Sequence, residues 1–370
     1  NGKTVMIVLS SSEQEQTRSI FAERKVLNIV EKELIPAFYR SKIKIDDENI
    51  ENVSVLCSEK SAEEINQICQ LMFTPVHKWN LVAPSNPLTK GDCKGSRNDV
   101  VEKVTQYLSS LDGDGDVELL TSPLIPSDVF YHGFSGRKGG ISTVSGMKSL
   151  NMVYTTSKRD PPCVIAENHK RLSQKVPFDV SCFEIARAVH GNVIFEVGGI
   201  RPEAGYDGVV TNQKRMTMAA PGADCIVMLF ADPINRVCGA IHSGWKGTVA
   251  RICTEMLKTM QKNYGCNIKD IKVVMGPSIS KERFEFGAEE SKVFQDISPE
   301  CVLWPEGKNR KPTIDLKLAN RILLQSEGIL PENIDDTSVS LCTVGNPHKF
   351  FSYRRDGRPF GNQIGFIGIK

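Results

Sequence analysis

The chain has 370 residues, a length that favours two domains. Hydrophobic residues at 40% and charged residues at 24% are ordinary globular proportions, so a core of normal size is available. With 46 basic residues against 44 acidic ones, the chain lacks the basic excess that nucleic-acid or membrane-surface binding displays.

In chain order, residues 4–9 form a short β-branched run that reads as a strand. Residues 17–39 carry Ile20, Phe21, Val26, Ile29, Val30 and Leu34 at helical spacing, which predicts a helix. Residues 53–56 read as a second strand. Ser61 then opens a helix with an acidic first turn that runs to about Phe73. Residues 81–83 predict a third strand, 98–111 an amphipathic helix and 117–120 a further strand. This βαβα order implies an α/β domain over 1–122, closed by the turn Thr121-Ser-Pro-Leu-Ile-Pro. It contains no GxGxxG and no GxxxxGK[ST], so no phosphate-binding chemistry is assigned to it. Asp112-Gly-Asp-Gly-Asp begins like a calcium loop, but the later Gly and Glu are out of register, and it reads as a solvated turn.

Residues 123–370 make a second domain of mixed α/β character. Residues 227–230 and 237–241 read as adjacent strands joined by Asp232-Pro-Ile-Asn-Arg. Residues 248–264 predict a helix, 273–275 a strand, 316–324 a helix and 364–369 a closing strand. No apolar stretch approaches the roughly 20 residues of a membrane helix. The eleven cysteines are odd in number and include no Cys-x-x-Cys pair, which reads as free thiols in a reducing compartment. An intracellular, cytoplasmic protein is therefore expected.

The chemistry concentrates in the second domain. Two of six histidines, His190 and His242, combine with Cys225 as a candidate metal set, two imidazoles and a thiolate with one tetrahedral position open. Spacing alone also fits a fortuitous or buried group. His242-Ser-Gly-Trp-Lys-Gly follows an apolar strand and precedes a helix, where amides and Lys246 can face an anion. It equally fits a glycine-rich turn with a solvated lysine. Gly136-Arg-Lys-Gly-Gly-Ile-Ser is a second such element, bringing Arg137 and Ser142 to a phosphate cradle or to a plain hairpin turn. Asp224, next to Cys225, is placed to carry protons beside a metal-activated water, or to act as a turn residue.

Taken in order, Phe130-Tyr-His-Gly-Phe-Ser-Gly-Arg-Lys-Gly-Gly-Ile-Ser, Ser149-Leu-Asn, Val189-His-Gly, Ala223-Asp-Cys, Ile241-His-Ser-Gly-Trp-Lys-Gly, Gly276-Pro-Ser-Ile and Phe351-Ser-Tyr-Arg-Arg-Asp-Gly resemble the motif series of the YfiH/YlmD family, formerly called multicopper polyphenol oxidase or laccase domains. The resemblance covers about residues 128–370. It implies a three-layer α/β/α domain with a mixed sheet, related to some cysteine hydrolases. It implies zinc on His190, Cys225 and His242. It also implies purine nucleosides and phosphate as partners, in phosphorolysis of adenosine, inosine, guanosine and S-methyl-5'-thioadenosine and in deamination of adenosine. Ala188, Ser243, Lys246 and Asn362 stand where the family usually has Gln, Ala, Arg and, in bacterial members, Arg. Lysine cannot copy a bidentate arginine clamp, so phosphate geometry is expected to differ.

On this reading Arg137, Ser142, Lys246 and Arg354 contact phosphate or sugar, although Arg354 with Arg355 equally fits a surface ion-pairing pair. A multicopper oxidase needs a mononuclear site and a trinuclear cluster, all rich in imidazole, and six scattered histidines do not furnish them. Two alternatives stay open. One is a Cys-His thiol amidohydrolase or deamidase using Cys225 as nucleophile. The other is a nucleotide-binding scaffold without catalysis, with protein partners meeting the N-terminal domain.

Overall fold

The computed structural model describes residues 4–10, 25–30, 34–57, 61–82, 97–305 and 311–370. They fall in two compact units. The first comprises residues up to 114 together with 140–149 and 154–168; the second comprises 115–139, 150–153 and 169–370.

The first unit holds a parallel four-stranded sheet. Its strands are β1 (Thr4–Ser10), β2 (Lys25–Val30), β3 (Asn52–Leu56) and β4 (Lys78–Val82), in the order β2-β1-β3-β4. Helices α1 (Leu34–Asp47), α2 (Ala62–Met72) and α3 (Arg97–Ser110) accompany it. Val5, Ile7, Val53 and Val55 of the sheet pack with Phe38 and Ile45 of α1, Ile65 and Ile68 of α2, and Val104 of α3.

The helix expected over 17–39 is corrected here. Lys25–Val30 is a strand, and the helix begins only at Leu34; residues 17–24 and 31–33 lie outside the described set. Pro36 explains the start, because proline is tolerated in the first helical turn but would clash with the preceding turn inside a longer helix. The branched run Val26, Ile29 and Val30 suits a pleated sheet. A buried ionic group also sits in this unit. Asp46 takes His77 Nε2 at 2.9 Å and Arg159 Nη1 at 3.4 Å, and pairs closely with Lys42.

The second unit adds β5 (Leu119–Leu120), β6 (Phe130–Ser135), β7 (Phe183–Ile185), β8 (Ile194–Glu196), β9 (Gly208–Thr211), β10 (Thr217–Gly222), β11 (Ile226–Asp232), β12 (Val237–Ser243), β13 (Lys272–Met275), β14 (Val302–Leu303), β15 (Thr313–Ile314), β16 (Ile334–Asp335) and β17 (Gln363–Ile369). Later helices of the chain are α4 (Pro162–Lys175), α5 (Trp245–Val249), α6 (Ile252–Tyr264), α7 (Lys292–Gln295), α8 (Leu316–Ser326) and α9 (Tyr353–Asp356). A five-stranded sheet runs β5-β6-β17-β10-β7, and a six-stranded sheet runs β16-β13-β11-β12-β9-β8.

The expected mixed α/β character is present, but the layering differs from a single sheet between helices. Every residue of β10, β11, β12 and β17 is buried, so both faces of these strands are covered. Val227, Leu229, Ala231, Cys238 and Ala240 point to one side and share a core with Phe134, Met218, Ala220 and Ile367 of the five-stranded sheet. The alternate residues Ile226, Met228, Phe230, Val237 and Ile241 meet Ile252, Met256 and Leu257 of α6 and Ala319 and Leu323 of α8. The two-residue period thus divides each strand between a second sheet and a helical layer.

The expected pairing of 227–230 with 237–241 holds, as an antiparallel hairpin. Its turn is fixed by the Asp232 carboxylate, which accepts from the amides of Ile234 (2.8 Å) and Asn235 (3.0 Å). The helix expected over 248–264 is two helices. Arg251, in the left-handed region at φ 60°, breaks α5 from α6 and re-aims Ile252 and Met256 at the sheet. Helix α4 had no sequence-based expectation. No helix among the described residues is long and apolar enough to cross a membrane.

Candidate metal centre

Two register facts bring distant residues to one end of the six-stranded sheet. β12 pairs with β11 so that His242 faces Val227, two residues past Cys225. β12 pairs with β9 so that Ile241 faces Gly208, which sets Asp207 beside His242. His190 arrives on the connection from β7 to β8, in the left-handed region at φ 63°, a conformation histidine adopts more readily than most residues.

One ligand atom each of His190, Cys225 and His242 lies within 4.8 Å of the others. The two imidazole rings stand edge to face, 4.8 Å between centroids. His190 is exposed, Cys225 half-buried and His242 buried, so the cluster opens to solvent on one side. Gly244 makes room for it: a Cβ there would stand 2.8 Å from Cys225 Sγ and 3.4 Å from His190 Cδ2. A borderline-soft thiolate with two imidazoles, and space kept clear around them, fits one divalent metal ion.

Asp207 is the organiser that sequence reading missed. It is fully buried. Its Oδ1 takes His242 Nδ1 at 2.8 Å and accepts from the His190 amide at 2.9 Å. Its Oδ2 accepts from the amides of Val189 (3.0 Å) and Gly191 (2.8 Å). One carboxylate therefore fixes the turn that carries His190 and leaves Nε2 of His242 as the ring nitrogen able to ligate. Burial disfavours its charge, but the His242 hydrogen bond and the Gly191 and Val189 amides outweigh that and hold the carboxyl below its usual range.

Burial likewise raises the Cys225 thiol, yet the His242 charge and hydrogen bonds from both imidazoles pull it down to about 6. Burial opposes protonation of His242, while the Cys225 charge and the Asp207 hydrogen bond raise it. Without metal the two form a thiolate–imidazolium pair.

The remaining expected site residues are placed as follows. Asp224 stands at φ 105°, nearly buried. Its Oδ1 accepts from Thr343 Oγ1 at 2.6 Å and its Oδ2 from the Arg354 amide at 2.6 Å. Burial raises its carboxyl above the usual range. The Arg354 guanidinium donates to the carbonyls of Arg283 and Glu285 at 3.3–3.4 Å and lies over Phe284. Arg137 donates to the Pro347 carbonyl at 2.8 Å and lies over Phe351. Lys246 is exposed, with Nζ 5.6 Å from the Trp245 ring centre, and makes no ion pair among the described residues.

Ser142 belongs to the first unit, is buried, and accepts from Asn168 Nδ2 at 3.0 Å. The amides of Gly136, Arg137, Gly140, Ile141 and Ser142 all donate to protein oxygens. That glycine-rich stretch is thus held by the fold, with these donors engaged. Ser243 and the His242 end of β12 are held by a buried network. Ser243 Oγ meets Thr248 Oγ1 (3.0 Å) and Asn320 Oδ1 (3.1 Å), and Asn320 Nδ2 donates to Thr248 Oγ1 (2.9 Å).

The other four histidines are occupied elsewhere or isolated. His77 pairs with Asp46; His132 Nε2 accepts from the Ser122 amide at 3.0 Å, and burial pushes its pKa down to about 4. His169 Nε2 lies 2.8 Å from the Met152 carbonyl, and His348 is exposed. Among the described residues, His190, Cys225 and His242 are the one group of three or more such ligands. Among the described residues the other histidines do not gather into a second imidazole cluster.

Residues 131–370 match the family model described as multi-copper polyphenol oxidoreductase laccase. The chain is 38% identical over 351 residues to the mouse protein named purine nucleoside phosphorylase LACC1, covering 91% of this chain and 80% of that one. It is 32% identical over 253 residues to the Bacillus subtilis protein named purine nucleoside phosphorylase YlmD, covering 64% of this chain and 88% of that one. The crystal structure of YlmD from Geobacillus stearothermophilus superposes with a TM-score of 0.59 at 27% identity, over 67% of this chain and 94% of that one. The motifs, the fold and these matches agree: the chain belongs to the multi-copper polyphenol oxidoreductase laccase family, the family of YfiH and YlmD.

Proposed function

We propose that the chain is a zinc-dependent purine nucleoside phosphorylase. On this reading it cleaves adenosine, inosine, guanosine and S-methyl-5'-thioadenosine with phosphate, and deaminates adenosine at the same centre. The observation that carries the proposal is the open-sided His190–Cys225–His242 cluster, backed by Asp207, in a chain whose relatives are named purine nucleoside phosphorylases.

Phosphorolysis develops positive charge on the sugar and negative charge on the leaving base, so the site needs an anion pocket, a proton source and exclusion of water. Zinc held by the three ligands would supply Lewis acidity to a reacting oxygen. Asp207 keeps His242 and the His190 turn in ligating orientation. Lys246, exposed one residue past the Trp245 start of α5, is the first candidate for the phosphate. Arg137, Arg354 and Ser142 complete the proposed contacts only if they leave the acceptors and donors that now engage them. Asp224 is the proposed proton carrier in deamination, with the Thr343 hydroxyl on its Oδ1 as the relay. The domain arrangement at 1–122 and 123–370 belongs to the same reading, as does a reducing, cytoplasmic setting, in which the metal-ligating thiolate stays reduced.

A second reading has one observation in its favour. The lowered Cys225 thiol beside two imidazoles is also the arrangement of a thiol nucleophile and its base. Zinc-loaded protein incubated with inosine separates the two. The phosphorylase reading predicts hypoxanthine that requires both zinc and phosphate. No hypoxanthine from inosine, with ammonia released from a carboxamide substrate at a rate that rises when zinc is stripped, would favour the thiol amidohydrolase.

A further inference from the structure

A cavity of about 320 Å³ lies apart from the three metal ligands, lined by Ser278, Asp315, Lys317, Arg321, Ser340 and Cys342 among others. Cys342 is half-buried at its edge. The Gly345 amide donates to its sulfur at 3.4 Å. Burial disfavours its thiolate, but the Ser280 hydroxyl, the Ser280 amide and the amides of Gly345 and Val344 outweigh this and lower the thiol's pKa. Such a ring of donors is what a low-pKa, reactive cysteine requires.

Two further groups face the same space. Ser278 is 1% exposed, and its hydroxyl has no hydrogen-bond partner among the described residues. A buried hydroxyl left unsatisfied next to a cavity is explained by a molecule that completes it. Lys317 is half-buried and bonds to the Ser340 hydroxyl; burial, outweighing the charges of Asp336, Asp315 and Cys342, drives its ammonium down to about 8, within reach of giving up a proton near neutrality. A thiol whose pKa is lowered, a hydroxyl donor and an ammonium thus line a space that admits a small polar molecule.

We propose that Cys342 is a peroxide-reactive thiol whose cavity binds a small hydroperoxide. The thiolate sulfur attacks the nearer peroxide oxygen. An S–O bond forms and the O–O bond breaks. The sulfur is oxidised by two electrons to a sulfenic acid, and the peroxide is reduced. With hydrogen peroxide the departing hydroxide takes the Lys317 proton and leaves as water. The Ser278 hydroxyl donates to the peroxide while it is bound. Among the described residues the other half-buried cysteines do not line this cavity: Cys225 faces His190 and His242, and the Cys163 sulfur donates to the Leu71 carbonyl at 3.3 Å. Cys182 lies outside that cavity, its sulfur 3.7 Å from the Asp179 carboxylate.

The test uses the full chain, zinc-loaded, at neutral pH with limiting hydrogen peroxide, a sulfenic-acid trap, and peptide mass spectrometry of every cysteine. Cys342 should be trapped at least tenfold faster than Cys182. Lys317→Met should slow Cys342 several-fold and leave Cys182 unchanged. Ser278→Ala, a small change that keeps the fold, should also slow Cys342 selectively. Equal trapping of Cys342 and Cys182, or an unchanged Cys342 rate in both variants, would overturn the proposal. Zinc content read alongside shows that any failure is not a failure of the metal centre.

Discussion

Replacing Asp207 by Asn keeps the shape of the side chain and removes its charge. Each carboxylate oxygen of Asp207 accepts two donors, Oδ1 from His242 and the His190 amide, and Oδ2 from the Val189 and Gly191 amides. An amide supplies one acceptor oxygen, so in either orientation two buried donors meet an NH2 group instead. Hydrogen bonds to a charged acceptor contribute about 1.5–3 kcal/mol each. Because the four share one carboxylate and are not additive, the expected loss of stability is about 2–4 kcal/mol. Loss of an outer-shell partner typically lowers metal affinity about 10–100-fold, equivalent to about 1.4–2.8 kcal/mol. Zinc competition against a chromophoric chelator reads the affinity, and the cobalt-substituted spectrum reads ligand geometry independently of activity. The pH dependence gives a further check. The folded carboxyl lies below its unfolded value near ~3.9, so its stabilisation is present above that value and disappears as pH falls through the folded pKa. The gap between wild type and variant should therefore narrow in acid. Wild-type zinc affinity and an unchanged cobalt spectrum in Asp207→Asn would refute the organising role.

Other consequences are as specific. Gly244→Ala sets a methyl 2.8 Å from Cys225 Sγ, so bound zinc per chain should fall well below one by elemental analysis, with a stability cost of about 1–3 kcal/mol by urea titration. Ser243→Ala removes the donor to Asn320 Oδ1 and should cost about 1–3 kcal/mol while zinc content stays intact. In metal-free protein, His242 is raised, so its stabilisation is full below its unfolded value near ~6.5 and is lost as pH climbs above it. Cys225 is lowered, so its stabilisation is full above its unfolded value near ~8.5 and is lost as pH falls towards about 6. Thermal melts across pH should show a broad maximum between those limits, absent in Cys225→Ser. Asp224→Asn should depress adenosine deamination by about 10²-fold or more and phosphorolysis far less, measured by separating inosine from adenine.

Much of this was legible before any coordinates. The apolar runs that became β11, β12, β13 and β17 are bounded by turn residues, and their burial on both faces leaves little ambiguity of type. The candidate ligands stood out because histidines are few, His190 and His242 are followed closely by glycines, and Cys225 sits in an Ala-Asp-Cys motif. Asp207 left no such mark. An Asp-Gly after a tyrosine reads as a turn, and only the pairing of β9 with β12 shows that it lies against His242. Thr343 escaped for the same reason, since its bond to Asp224 spans 119 positions. The helix expected over 17–39 failed because helical and sheet periods overlap in short branched runs, and Pro36 fits only the first turn of a helix that starts at Leu34. The break at Arg251 has no residue signal, since arginine rarely adopts a left-handed backbone.

The most direct test of the central claim is product analysis of zinc-loaded protein with adenosine, with and without phosphate, beside Cys225→Ala. The account predicts adenine and ribose 1-phosphate only when phosphate is present, inosine as a second product, and neither in the variant. Absence of both products from the wild-type protein, with zinc confirmed at one per chain, would contradict it.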